Sequence, residues 1–248
     1  MSQGSDVHRD DVHRDQAQHD ERGEAVAQGL ARVRARIHEA AAVSGRLPED
    51  VRLVVVTKFF PASDVRILAS LGVTEVAENR HQEAQAKAEE CADLGLAWHF
   101  VGGLQSNKAA AVARYSAAVH SLDRAKLVGP LDRGAGERGE PLDVLCQVSL
   151  DPPGADHRSG VEPDRLAALA ERVAQADALR LRGLMAVAPL DEDPAAAFDR
   201  LAALREAFLR DHPGAGWLSA GMSGDLEQAV AVGATHVRVG SAVLGSRP

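Results

Sequence analysis

The sequence of 248 residues has few cysteines and no long apolar runs, and each shortage excludes a class of protein. Its only cysteines, Cys91 and Cys146, argue against a disulfide framework and favour a reducing compartment such as the cytoplasm. No apolar run is long enough to cross a bilayer, and the polar N-terminus does not resemble a signal peptide. The ten histidines occur without the spacing of a metal-binding motif, so we expect no metal site.

Acidic residues outnumber basic ones in this chain. The 36 aspartates and glutamates against 28 lysines and arginines give a formal net charge of -8 and a pI near 5.7. Such a charge disfavours nucleic acids and anionic membranes, so we expect neither as a partner. Hydrophobic residues make up 45% of the chain, which is enough for a globular protein with a sizeable core.

The N-terminal segment differs in composition from the rest of the chain. Residues 6–10 and 11–15 repeat the polar pentapeptide DVHRD. We therefore predict two regions, a disordered polar tail at residues 1–21 and a folded domain at residues 22–248. A helix is predicted from about Arg22 to Val43, because apolar residues recur there at helical spacing.

Strands and helices then alternate along the chain. Eight predicted strands separated by helices, after an N-terminal helix, indicate an α/β fold of the (β/α)8 TIM-barrel type. A Rossmann sheet is disfavoured, since no G-x-G-x-x-G motif follows the first strand. The predicted strands lie near residues 52–57, 74–77, 97–101, 117–120, 142–149, 181–187, 216–219 and 235–240. The predicted helices lie between them, at residues 63–71, 80–94, 107–115, 124–135, 163–176, 194–210 and 224–232.

Lys58 is the first candidate functional residue. It follows a β-branched run that ends in Thr57 and precedes Phe59, Phe60 and Pro61, which places its ammonium group at the end of a buried strand. An apolar surrounding would lower the pKa of this lysine and make it a nucleophile able to form an imine with a carbonyl compound. The alternative is an ordinary lysine whose stem lies along the strand and whose amine reaches water.

The other lysines are weaker candidates. The chain has three more, and Lys87 lies in a polar helical pattern that predicts a solvated helix face. Lys126 lies in a charged helical stretch. Lys108 follows the third predicted strand, so it competes with Lys58 as a group on the active face, with an electrostatic or substrate-side role.

Two elements near the C-terminus are typical of phosphate binding. A glycine-rich turn containing Ser223 leads into a helix, and the last strand ends at Gly240 and Ser241. These are the loops after strands seven and eight, which hold phosphate in many barrels, and the last strand of a barrel lies beside the first. The alternatives are that Ser223 or Asp225 simply caps a helix and that Gly240 simply permits a turn.

Arg238 lies two residues before Gly240, on the same side of the strand. An inward guanidinium needs an acceptor because it cannot lose its charge. A core carboxylate could serve, and so could the nitrogen of a pyridine ring. A lysine for an aldehyde, a phosphate cradle and a donor for a ring nitrogen together describe pyridoxal 5'-phosphate (PLP).

An ordered set of motifs resembles the pyridoxal phosphate homeostasis proteins, which are single-domain barrels similar to the N-terminal domain of alanine racemase. The resemblance covers about residues 22 to 247, and the ordered set is more specific than any single motif. In chain order the motifs are VVVTK ending at Lys58, AEN ending at Asn79, WHFVG from Trp98, LQSNK ending at Lys108, HSLD from His120, RGLM from Arg182, GMSGDLE from Gly221 and VRVGSA from Val237.

The resemblance implies a role for each site residue. Lys58 would form the internal aldimine, Arg238 would face the ring nitrogen, and Asn79 would lie near the hydroxyl side of the ring. The phosphate would be held by Ser223, Gly240 and Ser241, with Met222 in the same turn as Ser223. The chain departs from the family pattern at Arg80, His81, Gly103 and Ser149, which concern the substrate-side pocket rather than the cofactor.

The resemblance also implies a carrier or buffer of PLP rather than an enzyme with established turnover. A racemase of this fold needs a base on each face of the substrate and takes one of them from a second domain, which we expect to be absent here. The only tyrosine, Tyr115, shows no sign of facing the ring. We expect a monomer that holds PLP and supplies it to apo-enzymes.

Two other functions stay open at this stage. A weak PLP-dependent racemase or lyase would need a second acid or base, with Lys108 or His99 as candidates. A barrel aldolase that forms an imine with a phosphorylated sugar would share the phosphate cradle but would carry no chromophore.

Overall fold

The computed structural model describes residues 4–151 and 159–246, with side chains described from residue 20 onward in these ranges. Eight parallel strands form a closed barrel in the order of the chain, so each strand pairs with its sequence neighbours and β8 pairs with β1. The strands are β1 Arg52–Val56, β2 Glu75–Glu78, β3 Ala97–Phe100, β4 Ala118–Leu122, β5 Leu142–Gln147, β6 Leu179–Met185, β7 Trp217–Ser219 and β8 His236–Val239.

The helices of the described residues lie outside the barrel and connect its strands, apart from the terminal ones. They are α1 Gly4–Val43, α2 Ala62–Ser70, α3 His81–Glu90, α4 Ala109–Tyr115, α5 Val128–Arg138, α6 Leu166–Ala174, α7 Pro194–Asp211, α8 Leu226–Ala231 and α9 Ser241–Leu244. None of these helices is long and apolar enough to span a membrane.

The predicted barrel is confirmed, and each of the eight predicted strands overlaps an observed one. Boundaries differ by a few residues, most clearly in β6, which begins two residues before its predicted start. Helix α9 was not predicted, because its four residues are too few to show helical periodicity.

Helix α1 begins at Gly4, well before the start predicted near Arg22. The backbone hydrogen bonds of a helix are internal, so a polar segment can continue a helix without being packed against the domain. The apolar stripe predicted for this helix is buried, with exposed fractions of 4% or less at Val26, Leu30, Val33 and Ile37. The division at residue 22 between a polar tail and the barrel domain stays a prediction.

Alternation along the strands separates the interior of the barrel from its outer surface. In β8, Val237 and Val239 join an apolar cluster outside the barrel that includes residues of α1. Arg238, between them, pairs in register with Val54, which belongs to a small apolar cluster inside the barrel. The interior therefore holds polar side chains beside a few valines, and it opens at the carboxyl ends of the strands.

Gly29 allows α1 to pack directly on α9. A Cβ atom at this position would overlap the main-chain carbonyl oxygen of Val243. Because the neighbour is backbone rather than a flexible side chain, the two helices would have to move apart to accept any larger residue.

We predict that Gly29→Ala lowers the free energy of unfolding by about 1 to 3 kcal/mol, since overpacking outweighs the helix propensity gained. The matched control is Gly23→Ala in the same helix, where a Cβ meets nothing within 4 Å. That variant should be stabilised by about 0.5 to 1 kcal/mol. Urea unfolding measures both values, and equal effects at the two positions would contradict the close packing of α1 on α9.

Candidate functional site

One cavity of about 430 Å³ opens where the strands end, and all seven predicted site residues line it. Lys58 lies two residues past β1 in a turn and is partly exposed. The apolar part of the lining includes Val56, Phe60, Val101 and Met185. The predicted residues that share this lining are Lys58, Asn79, Met222, Ser223, Arg238, Gly240 and Ser241.

Two hydroxyl groups meet at one end of the cavity. The Oγ atoms of Ser223 and Ser241 lie 3.3 Å apart, on the loops after β7 and β8. At Gly240 a Cβ would lie 2.9 Å from the carbonyl oxygen of Val56, so glycine keeps this loop against β1. Paired hydroxyls beside a turn packed this closely suit an oxyanion such as a phosphate group.

The turn before α8 is held by a side chain rather than by a helix cap. The Met222 backbone N–H donates to Oδ1 of Asp225 at 2.6 Å, and Asp225 makes no side-chain cap bond to the helix that follows it. Gly221 has a φ of 90°, a conformation that glycine adopts readily. The capping alternative for Asp225 is therefore wrong, since its carboxylate shapes the turn that presents Ser223.

Arg238 is buried, with 5% of its surface exposed, and it contacts only neutral acceptors among the described residues. Its Nη1 donates to Oγ of Ser219 at 2.6 Å, and its Nη2 donates to the carbonyl oxygen of Ala186 at 3.0 Å. Burial lowers the pKa of Arg238 to about 10, with the charge of Asp225 opposing this change. The guanidinium stays charged near neutral pH, and its remaining donors can serve a ligand acceptor in the cavity.

A hydrogen-bonded series of buried side chains, called here the interior chain, runs from Arg238 into the barrel. Ser219 Oγ lies 2.8 Å from Nδ1 of His120, and Nε2 of His120 lies 2.8 Å from Nδ1 of His99. Burial lowers the pKa of His99 to about 4 and lowers the pKa of His120 well below its usual value. Both rings are thus neutral. If the Ser219 hydroxyl, which accepts from Arg238, donates to Nδ1 of His120, then the ring proton of His120 lies on Nε2 and donates to His99.

Lys87 is buried, so the prediction that it lies on a solvated helix face is wrong. Only 6% of the residue is exposed, and its Nζ donates to the Thr57 carbonyl oxygen at 2.8 Å. It also donates to Oε1 of Glu78 and to Oε1 of Glu83, each at 2.7 Å. A signal was present in the sequence, because Ala84, Ala88 and Cys91 recur at helical spacing and Lys87, three residues after Ala84, shares their helix face.

The hydrogen bonds around Lys87 also fix Thr57 and Phe59, the residues on either side of Lys58. Oε1 of Glu83 also accepts from the Phe59 backbone N–H at 2.7 Å, and the Thr57 hydroxyl donates to Oε1 of Glu78 at 2.7 Å. Phe59 has a φ of 71°, which is costly for a residue other than glycine. The contacts made by Lys87 and the two carboxylates therefore hold the turn in a conformation that its own sequence disfavours.

Asn79 contributes an acceptor that has no partner among the described residues. Its Oδ1 is buried, and the described residues offer it no hydrogen bond. Gly102, which also lines the cavity, lies so close to the Asn79 backbone that a Cβ there would overlap it. Since buried polar atoms are normally paired, this oxygen fits a donor on a bound molecule, such as a ring hydroxyl.

The other candidate residues lie outside this cavity. Lys108 lines a neighbouring pocket at the rim, and His99 is part of the interior chain. The hydroxyl of Tyr115 lies 3.5 Å from Nδ1 of His81, and burial raises the pKa of Tyr115. Within residues 20–151 and 159–246 there is no cluster of three or more side chains suited to a metal ion.

Comparison with known proteins places this arrangement in a family. The family model described as "Alanine racemase, N-terminal domain" matches residues 30–248. The chain is 43% identical over 246 residues to the pyridoxal phosphate homeostasis protein of Mycobacterium tuberculosis H37Rv, covering 92% of this chain and 95% of that protein. It is 44% identical over 222 residues to the protein of that name from Pseudomonas aeruginosa PAO1, covering 90% and 96%. The chain belongs to the pyridoxal phosphate homeostasis protein family.

A solved structure of similar sequence has the same fold. PipY of Synechococcus elongatus PCC7942, whose structure has PLP bound, is 36% identical to this family member, with a TM-score of 0.77. The match covers 89% of this chain and all of PipY, at 100%. The family resemblance expected from the motifs is thus confirmed.

We predict that Lys87→Met lowers the free energy of unfolding of this homeostasis family member by about 3 to 5 kcal/mol, because it leaves the carboxylate of Glu78 buried and unpaired. Urea unfolding measures the loss. The double variant Lys87→Met/Glu78→Gln should recover part of it, since the unpaired charge is removed. Lys126→Met, at an exposed position, is the control and should change stability by no more than about 0.5 kcal/mol.

The loss in Lys87→Met should depend on pH. Burial raises the pKa of Glu78 and Lys87 opposes that rise, so the variant should have a higher Glu78 pKa still. A carboxyl group whose pKa is higher in the folded state stabilises the fold at low pH, and that stabilisation is lost as pH rises through the folded value. The deficit should therefore be smaller at about pH 5 than at about pH 8; a pH-independent deficit would contradict this role of Glu78.

Proposed function

We propose that this chain binds PLP covalently through Lys58 and takes part in the control of PLP supply, as a carrier or buffer. The observation that carries the proposal is the convergence in one cavity of a lysine, two facing hydroxyls and a buried guanidinium. The names of its relatives and the bound PLP in PipY support the choice of cofactor.

Each polar residue that lines the cavity fits one part of the cofactor. When bound, PLP supplies an aldehyde that condenses with a primary amine. Lys58 offers that amine from a turn whose neighbours are fixed by Lys87 and Glu83. Ser223 and Ser241 offer hydroxyl donors to the phosphate. In this proposal Met222 and Gly240 shape the two turns that present them.

The remaining two polar residues fit the ring. Arg238 can donate to the pyridine nitrogen, and because it keeps its own proton near neutral pH it leaves that nitrogen unprotonated. Asn79 offers its buried Oδ1 to the ring hydroxyl. An unprotonated ring is a weak electron sink, which disfavours carbanion chemistry but leaves reversible capture of an aldehyde intact.

A carrier fits the composition of the cavity better than an enzyme does. Lys58 and Arg238 are the only ionisable side chains among the described residues lining it, and the guanidinium of Arg238 keeps its proton near neutral pH. His99, a candidate second base for a racemase, lies in the interior chain and is neutral. We infer that the chain releases PLP to apo-enzymes, acts as a monomer and works in the cytoplasm, where its two buried free thiols would persist.

We predict that the full chain incubated with PLP develops a visible absorption band and that borohydride fixes the mass of the cofactor on Lys58, as located by peptide mass spectrometry. Lys58→Ala should lose both signals. Lys126→Ala, which removes a distant exposed lysine, should keep them. Retention of a reducible adduct in Lys58→Ala would overturn the assignment of the lysine.

We predict that Ser241→Ala weakens PLP binding about tenfold, because each hydrogen bond to a charged group contributes on the order of 1.5 kcal/mol. Fluorescence titration with PLP measures this. Titration with pyridoxal, which lacks the phosphate, is the control and should be almost unaffected by the substitution. Equal weakening for both compounds would show that Ser241 does not hold the phosphate.

A further inference from the structure

A second pocket opens beside the cofactor cavity, at the rim of the barrel. It has a volume of about 270 Å³, and Asn79 lines both spaces. Three basic side chains come together in it from two loops, Arg80 and His81 after β2 and Lys108 after β3.

The charges in this rim pocket are of one sign. Among the described residues that line it, none is an aspartate or glutamate, although the whole chain has a net charge of -8. The nearest carboxylate along α3 is Glu83, and its Oε1 is already bound by Lys87 and by the Phe59 backbone N–H. The helix α3 also begins at His81, which places the positive end of its dipole here.

The basic side chains are partly held in place by their neighbours. The guanidinium carbon of Arg80 lies 5.1 Å from the centre of the Phe59 ring. His81 and Tyr115 are stacked with ring centres 6.0 Å apart. Burial, and then the charge of Lys108, lower the pKa of His81, so Arg80 and Lys108 supply the positive charge. Two cations beside a neutral imidazole suit a small planar anion.

We propose that the rim pocket binds the carboxylate of a small amino acid next to the cofactor cavity. The location favours an amino acid, because Asn79 borders both spaces and a ligand with an amino group and a carboxylate can extend from one to the other. The choice of an amino acid as the ligand rests on the proposed function. The pocket itself does not depend on a bound cofactor, because protein residues alone form it.

The test uses full-length protein whose cofactor has been fixed on Lys58 by borohydride, so that added amines cannot react there. Amide chemical shifts are followed by NMR during titration with L-alanine, propionate and L-alaninamide. We expect L-alanine and propionate to shift the signals of Arg80, His81 and Lys108. L-alaninamide lacks the carboxylate and should leave them unchanged. Equal shifts with L-alaninamide would overturn the proposal.

Charge-removing variants give the second measurement. Lys108→Gln and Arg80→Gln should each weaken propionate binding about tenfold, as expected for loss of one charge-assisted contact. Arg80 is exposed, so its substitution should leave the fold intact even if Lys108→Gln does not. Lys126→Gln is the matched control at an exposed position and should leave the affinity unchanged. Unaltered affinity in Arg80→Gln and in a folded Lys108→Gln variant would overturn the proposal.

Inorganic phosphate distinguishes the class of anion. A pocket for carboxylates should bind propionate more tightly than phosphate, and the reverse order would identify a phosphate site instead and overturn the proposal. Failure of the proposed function gives a different result, because no cofactor would then be fixed by borohydride. In that case the same titrations on the untreated full chain still test the pocket.

Discussion

The buried charge of Arg238 is the constraint to which the interior of the barrel is adapted. A guanidinium in an apolar surrounding must find acceptors, and here the described residues provide a hydroxyl and a carbonyl oxygen, with no carboxylate among its hydrogen-bond partners. The charge also adds to burial in lowering the pKa of His120 and His236, which keeps these interior rings neutral. Arg238 thus brings a buried positive charge, opposed only in part by the charge of Asp225, to the lining of the cavity.

A second group of charged side chains holds the turn that carries Lys58. Lys87 and Glu78 pair between α3 and β2, and Glu83 links them to the backbone next to Lys58. Each ion is hydrogen-bonded by more than one partner, which is the condition under which buried ion pairs are tolerated. Arg238 belongs to β8 and Glu78 belongs to β2, so both groups of contacts are anchored to strands of a closed barrel. The cavity is therefore preorganised before any ligand binds.

The sequence predicted the parts of the site that follow a strand end and missed those that depend on packing. Lys58, Ser223 and Ser241 each follow an apolar strand, and the order of the strands fixes which loops are neighbours. The burial of Lys87 was missed, because α3 is polar on most of its surface and its short inward stripe contains this lysine. The chain from Arg238 to His120 was missed because strands covered on both faces do not show which side points into a barrel.

The contact between α1 and α9 has a consequence for how the domain is made. Helix α1 comes early in the chain, yet it packs on α8 and α9, which come more than 180 positions later. During synthesis its apolar stripe must wait, without its partners, until nearly all of the barrel has been translated. A domain closed by contacts of such long sequence separation is expected to fold slowly and late, and to depend on chaperones more than its compact shape suggests.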